Sequence, residues 1–348
     1  MPPSDHVVNP DAFLPDPSQT ATSPQANSLD RELENSLRPA GFGEFVGQTR
    51  VVDNLRIAIT AARERGEALD HVLLSGPPGL GKTSLARILS SESDAQLHST
   101  SGPALERPRD LVGVLTQLLP GDVFFIDEIH RVPIAVEEYL YSAMEDYSVD
   151  FTLDQGPNAR ILPLKIAPFT LVGATTREGL LSAPMRSRFG LLERLTPYPD
   201  EDLVRILLRS AGILNVSLRT SAAALIASRS RGTPRVANRF LRRARDVAQV
   251  SGAKEIDEQL AIESLERLGV DSNGLEEMDR HILACLCRSQ GRAVGLKTIA
   301  ASVGESEDTI EEVFEPHLLR KGFIEKTARG RLVTLQGAQA VGFAFKSL

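Results

Sequence analysis

The chain has 348 residues, more than the roughly 250–300 that one hydrophobic core organises, which excludes a single small module. With 42% hydrophobic and 24% charged residues the composition is that of a globular protein, which excludes a wholly disordered chain. A balance of 39 basic against 46 acidic residues gives a net charge of −7, which excludes coating of a polyanion by bulk charge, and apolar runs such as 123–126 fall far short of the ~20 residues of a membrane span.

Residues 1–36 are rich in Pro, Ser, Thr and Asn, which predicts a disordered leader ending in a short helical start at 29–37. Its N-terminus is polar and acidic, without the basic start and apolar stretch of a signal peptide, so the expected location is cytoplasmic with no membrane contact. From Phe42 β-like and helical runs alternate: helix 51–65, strand 71–75, a helix from Lys82, strand 96–100, helix 110–119, strand 123–126, helix 134–146 and strand 169–174. Such alternation predicts an α/β unit, a parallel sheet flanked by helices, over 37–198. At 147–168 the helical period is lost and two extended arms surround Asp154-Gln-Gly-Pro-Asn158, a protruding β-hairpin. Helices at 201–212, 221–229, 234–251 and 257–268 predict a small helical lid domain over 199–272. Ten arginines fall between Arg205 and Arg245 without one Asp or Glu. Helices at 279–288, 296–303 and 307–321, then a hairpin to Leu335, predict a winged-helix domain over 273–348. Cys285 and Cys287, two apart on a helix, are too close to bridge and too few for a metal cage, so they read as reduced core thiols.

Gly76-Pro-Pro-Gly-Leu-Gly-Lys82-Thr83 follows an apolar strand and opens a helix, the context a phosphate-binding loop requires. Its backbone N–H groups converge on phosphate, Lys82 supplies a cation and the Thr83 hydroxyl ligates Mg2+, so ATP and Mg2+ are the expected cofactors. Strand 123–126 ends in Asp127, placed to hold hydrated Mg2+, and Glu128, placed as general base for the attacking water. The hydroxyls of Thr175-Thr176 end the neighbouring strand, where one can orient that water. Arg188 lies beyond the sheet and can serve a neighbour's γ-phosphate in trans; Arg235, after Pro234 at a helix start, suits the lid side of the same phosphate.

These motifs, with Asp127-Glu-Ile-His-Arg131, Ala143-Met-Glu-Asp-Tyr147, Gly173-Ala-Thr-Thr-Arg177, Arg186-Ser-Arg-Phe-Gly190, Gly232-Thr-Pro-Arg235 and Thr327-Ala-Arg-Gly-Arg331, resemble in order and spacing the RuvB family of AAA+ Holliday-junction branch-migration motors, from about Leu37 to about Leu335. Ala328, where Pro is expected, and Arg109, where Gly is common, depart from the pattern. The resemblance implies an AAA+ core, helical lid and winged helix, assembled as a homohexamer that moves the duplex DNA arms of a Holliday junction in recombination and repair. It implies RuvA as a partner at the hairpin 147–168 and a RuvC-type resolvase as a further one. Leu37, Arg38 and Tyr198 would then flank adenine and ribose, with Gly79, Leu80, Gly81, Lys82, Thr83 and Ser84 on the phosphates. Asp146 and Tyr147 join the nucleotide set, Thr176 is the polar sensor, Arg188 the arginine finger and Arg235 the lid sensor. Lys326, Arg329, Arg331 and Arg292 would hold DNA.

A clamp-loader or initiator ATPase and an NTP-switched transcription regulator share the phosphate loop. A clamp loader would end in a helical collar, and an initiator or regulator would read bases with a basic recognition helix. Here the third helix of the winged unit, Glu307-Asp-Thr-Ile-Glu-Glu-Val-Phe-Glu315, is acidic and phosphates would repel it. A motor indifferent to sequence needs only phosphate contacts, which the wing cations can supply.

Overall fold

The computed structural model describes residues 35–152 and 161–343. Met1–Arg38 and Pro39–Leu348 form two compact units, and the second carries the fold described below. Most of the predicted leader and the tip of the predicted hairpin, 153–160, lie outside the described residues.

Helix α1 (Thr49–Arg65) leads into β1 (Val72–Ser75), α2 (Lys82–Glu92), β2 (Leu97–Ser101), α3 (Pro108–Leu115), β3 (Val123–Asp127) and α4 (Ile134–Asp146). An antiparallel pair, β4 (Ser148–Thr152) and β5 (Ile161–Lys165), follows α4, and β6 (Thr170–Thr175), the short α5 (Ala183–Ser187) and β7 (Leu191–Arg194) complete the unit. Five strands form one parallel sheet in the order β2-β3-β6-β1-β7, with Ser75 beside Thr175 and Ser101 beside Asp127. Alternate side chains face opposite layers, as the period of a strand requires. Val72, Leu74, Val123, Phe125, Val172 and Ala174 pack on the α1/α2 side, while Leu73, Phe124, Ile126 and Leu171 pack against α3 and α4.

The lid consists of α6 (Asp200–Ile213), α7 (Thr220–Arg229), α8 (Pro234–Ser251) and α9 (Glu258–Arg267), and its core, through Leu203, Ile226 and Phe240, is continuous with the α1/α2 side of the sheet. The winged domain comprises α10 (Glu277–Arg288), α11 (Leu296–Val303), α12 (Glu307–Thr309), a π turn (Ile310–Phe314), α13 (Glu315–Arg320), β8 (Ile324–Thr327), β9 (Gly330–Val333) and α14 (Leu335–Ala340). It has a core of its own around Leu283, Leu286, Ile310 and Leu318. Cys287 is buried there and Cys285 is half-buried, both as free thiols. Polar contacts link this domain to the rest. The buried Arg231 of the lid pairs with Asp279 at 2.5 Å, and Arg320 donates to the Arg231 carbonyl at 2.5 Å.

Three differences from the sequence reading have physical causes. The helix expected at 307–321 is broken by a π turn, because Pro316 has no N–H to bond the carbonyl of Glu312. The strand β7 was not expected; it is a short edge strand whose Glu193 turns inward to accept a hydrogen bond from Asn54 at 2.7 Å. Gly330 holds φ +138°, and a Cβ there would overlap the Val294 carbonyl oxygen, since Val294 and Arg331 exchange backbone hydrogen bonds that add a third segment to the wing.

Among the described residues no helix is long and apolar enough to cross a membrane.

Candidate functional site

Strands β1, β3 and β6 lie side by side and parallel, so their C-terminal ends bring three motifs to one edge of the sheet. The loop after β1 wraps the start of α2, and Lys82 is buried with its ammonium donating to the carbonyls of Gly76 at 2.7 Å and Pro77 at 3.0 Å. Burial pushes the Lys82 ammonium below its usual range, and the carboxylates of Glu128, Asp127 and Glu312 oppose that shift. Thr83 and Ser84 sit half-exposed in the first turn of α2. Gly79 has φ +79°, and a Cβ there would lie 2.7 Å from Thr233 Cγ2 and 3.0 Å from Arg235 Cβ, so the start of α8 closes directly on the loop. Tyr198 is buried and donates to the Leu80 carbonyl at 3.1 Å; burial pushes its phenol well above the usual range.

On β3, the Asp127 carboxylate accepts from the Glu128 amide at 3.0 Å, and Glu128 itself adopts φ +50°, a left-handed conformation uncommon for a non-glycine residue and concentrated at functional turns. The two threonines ending β6 divide their roles. Thr175 is fully buried, accepts from the Arg177 amide at 3.0 Å and meets His130 Nδ1 at 2.9 Å. Thr176 donates towards Glu128 Oε2 at 3.2 Å. Thr176 is thus the hydroxyl facing the carboxylate that is the candidate base. His130 Nδ1 also lies 3.3 Å from Glu128 Oε2, and burial pushes its imidazole below the usual range, with the Glu128 and Glu312 carboxylates opposing.

A hydroxyl on Thr83 and a carboxylate on Asp127 are hard oxygen donors, and Mg2+ bound with a nucleotide takes one or two protein oxygens and completes its shell with phosphate and water. No group of three or more His, Cys, Asp and Glu able to hold a metal by themselves occurs among the described residues. Backbone amides at the start of α2, Lys82 and these donors together can hold a nucleoside triphosphate and place a water against its terminal phosphate.

Not every expected residue gathers here. Asp146 ends α4, and Tyr147, at φ +48°, sets its ring edge-on to Phe169 at 6.1 Å, just before β6 begins. Arg188 precedes β7, whose Leu191 is level with Val72 at the start of β1. Its guanidinium donates to the Pro184 carbonyl at 2.8 Å, pairs with Glu145 at 3.0 Å and lies 4.4 Å over the Tyr141 ring. These three residues occupy the N-terminal edge of the sheet. The six residues of β6, at about 3.3 Å each, separate the two edges by roughly 17 Å, so Asp146 and Tyr147 do not join the phosphate loop of their own chain. Leu37 and Arg38 belong to the N-terminal unit, where the Arg38 amide donates to the Asn35 carbonyl at 3.1 Å.

The four cations expected to hold DNA differ in their surroundings, with Lys326 exposed and Arg331 buried. Arg331 is buried against Glu315, donating to its Oε2 at 3.0 Å, and Lys326 pairs with Glu311 at 2.9 Å. Arg329 and Arg292 are exposed. Sequence reasoning missed Arg177, His130 and Glu312. His130 was visible in Asp127-Glu-Ile-His130, three residues past Asp127. Glu312 had its signal in the acidity of a helix expected to meet DNA. Arg177 pairs with Glu312 at 2.5 Å and Asp308 at 2.8 Å, and Thr176 also donates towards Glu312 Oε2 at 3.3 Å.

Comparison with known proteins gives concordant results. The family model of the Holliday junction DNA helicase RuvB P-loop domain matches residues 37–195, that of the RuvB AAA lid domain matches 198–271, and that of the RuvB C-terminal winged helix domain matches 272–342. Proteins named Holliday junction branch migration complex subunit RuvB are similar over most of their length. That of Chlorobium luteolum is 55% identical over 309 residues, covering 88% of this chain and 90% of its own. That of Myxococcus xanthus is 58% identical over 306 residues, covering 88% and 89%. The solved structure of the Thermotoga maritima RuvB Holliday junction branch migration motor superposes with a TM-score of 0.82 at 47% identity, over 89% of this chain and 99% of that one.

Proposed function

The chain belongs to the RuvB family, and from that premise we propose how its residues perform ATP-driven branch migration of Holliday junctions. It is a P-loop ATPase with a AAA lid and a winged helix. Lys82 and the α2 amides bind the phosphates, with Gly79, Leu80, Gly81 and Ser84 forming the loop around them. Thr83, directly, and Asp127, through water, would hold Mg2+, which would supply neutralisation of the charge developing on the phosphates. Glu128 takes the proton of the attacking water, Thr176 orients that water, and His130 fixes the Glu128 side chain. Tyr198 frames the nucleoside, and Arg235 answers the γ-phosphate from the lid.

The observation that carries this reading is the separation of two half-sites. The loop, Glu128 and Thr176 occupy one edge of the sheet, whereas Arg188, Asp146 and Tyr147 occupy the other, held by Glu145 and Phe169. Subunits arranged head to tail bring the second edge of one against the first edge of the next, a heterologous contact that closes into a ring. We assign the ring six copies, each nucleotide lying between two subunits with Arg188 supplied in trans. Duplex DNA is held by phosphates at Arg329, Lys326 and Arg292, the paired strands β4–β5 meet RuvA, a RuvC-type resolvase acts on the same junction, and the complex works in the cytoplasm. The test is the ATPase rate with and without duplex DNA and a RuvA-type partner. A branch-migration motor responds to both, and a rate indifferent to both contradicts the reading.

A further inference from the structure

The acidic third element of the winged domain has no use as a DNA-recognition helix, and the structure places it elsewhere. Glu311, Glu312 and Pro316 line one cleft together with Pro77, Pro78 and Thr176, just past the end of β6. Arg177 is the anchor: its guanidinium meets Glu312 at 2.5 Å, Asp308 at 2.8 Å and Glu311 at 3.8 Å. The Thr176 hydroxyl lies 3.2 Å from Glu128 Oε2 and 3.3 Å from Glu312 Oε2. A hydroxyl has one proton to donate, so the two carboxylates compete for it. The Glu312 carboxylate also contributes to the potential at Lys82 and His130, which puts its charge within the phosphate-binding field. On its far side the same segment reaches the wing, where Glu311 holds Lys326 at 2.9 Å and approaches Arg331 at 3.6 Å. The π turn spans both acids, and such turns concentrate at functional positions.

We propose that Glu312, contributed by the winged domain, competes with Glu128 for the hydroxyl of Thr176, and that the γ-phosphate of ATP displaces it. A phosphate dianion arriving beside Thr176 repels a carboxylate already there, and ADP brings no such charge. Displacement leaves the Thr176 hydroxyl, which keeps its proton, to donate its hydrogen bond to Glu128 alone. It also loosens the Arg177 anchor, so the segment carrying Glu311 moves together with the Lys326 end of the wing. The winged domain is suited to such motion, since it has its own core and meets the other domains through polar groups.

The inference rests on nucleotide binding at the phosphate loop, and the experiment separates the two. Affinities for ADP and for a non-hydrolysable ATP analogue are measured on the full chain without DNA, in the wild type, in Glu312→Gln and in Glu307→Gln. The last removes the same charge from an exposed position on the same segment. Glu312→Gln is expected to tighten the ATP analogue by about tenfold, equivalent to about 1.4 kcal/mol, and to leave ADP within about twofold. Glu307→Gln changes neither. In steady state the KM for ATP falls in Glu312→Gln while kcat does not. Asp308→Asn, which weakens the Arg177 anchor without touching Thr176, shifts the same selectivity less. Glutamine is isosteric with glutamate, and a thermal melt checks that the fold survives. Equal shifts for both nucleotides, or none, overturn the displacement model and leave the phosphate-loop assignment standing. A wild-type chain that binds neither nucleotide removes both.

Discussion

The two edges of the parallel sheet carry different kinds of side chain. At the C-terminal edge Thr176 lies 3.2 Å from Glu128 Oε2, the Asp127 carboxylate accepts from the Glu128 amide, and the buried Lys82 ammonium lies in the field of both carboxylates. At the N-terminal edge Arg188 rests on Glu145, Pro184 and Tyr141, engaged by its own chain but with no phosphate site beside it. In the proposed reading the difference means that one chain holds two complementary halves of a single catalytic centre, separated by the length of a strand. Chemistry would then depend on assembly, because neither half would suffice alone.

Substitutions on each side sharpen that comparison. The largest effect is expected at the edge without a loop: Arg188→Ala should lower turnover by about 10³-fold or more, with ATP affinity nearly unchanged, as read by steady-state turnover and nucleotide titration. At the other edge Glu128→Gln should lower turnover by about 10²–10⁴-fold while ATP stays bound. Near-native turnover in Glu128→Gln would remove that residue as base. Loss of nucleotide binding in Arg188→Ala would place the arginine in its own pocket and break the division into halves.

A second contrast lies within the wing, between two arginines two positions apart. Arg331 is buried on Glu315, whereas Arg329 is exposed at the turn. Arg331→Ala leaves Glu315 buried without its partner and should destabilise the winged domain by about 3–5 kcal/mol in thermal or denaturant unfolding. Arg329→Ala should leave stability alone and reduce the salt slope of log K for duplex binding by about 0.9, equally on unrelated sequences. A smaller effect is expected from Tyr198→Phe, which removes the hydrogen bond to the Leu80 carbonyl. Unfolding should show a loss of about 1 kcal/mol, and ATP should bind slightly more weakly.

Much of this was legible in the sequence where a strong local pattern decided the structure. Helices Ile134–Asp146, Pro234–Ser251 and Leu296–Val303 appear with the expected ends, fixed by Pro133, Pro234 and Gly304. The phosphate loop and Asp127-Glu128 lie where a strand, a loop and a helix in succession put them. What was hidden depended on distant partners. The strand end by itself left Thr175 and Thr176 equivalent and the resemblance pointed to Thr176; the structure buries Thr175 beside His130 and sets Thr176 beside Glu128. Arg331 looked like any wing cation until Glu315, sixteen residues earlier, came against it. The N-terminal-edge position of Asp146 follows from α4 running back along the sheet, a tertiary fact that no motif encodes. Pro316, by contrast, carried a readable warning that the helix from Glu307 would not run unbroken.

The account is tested most directly by mixing two inactive subunits. Lys82→Ala lacks a working pocket but keeps Arg188; Arg188→Ala has the opposite defect. ATPase activity is measured across varied ratios of the purified variants, with co-assembly verified by differential tagging. The two-halves account predicts that activity, negligible in either variant alone, rises to a maximum at intermediate ratios, where interfaces pair an intact pocket with an intact arginine. Verified co-assembly with no recovery of activity at any ratio would contradict it.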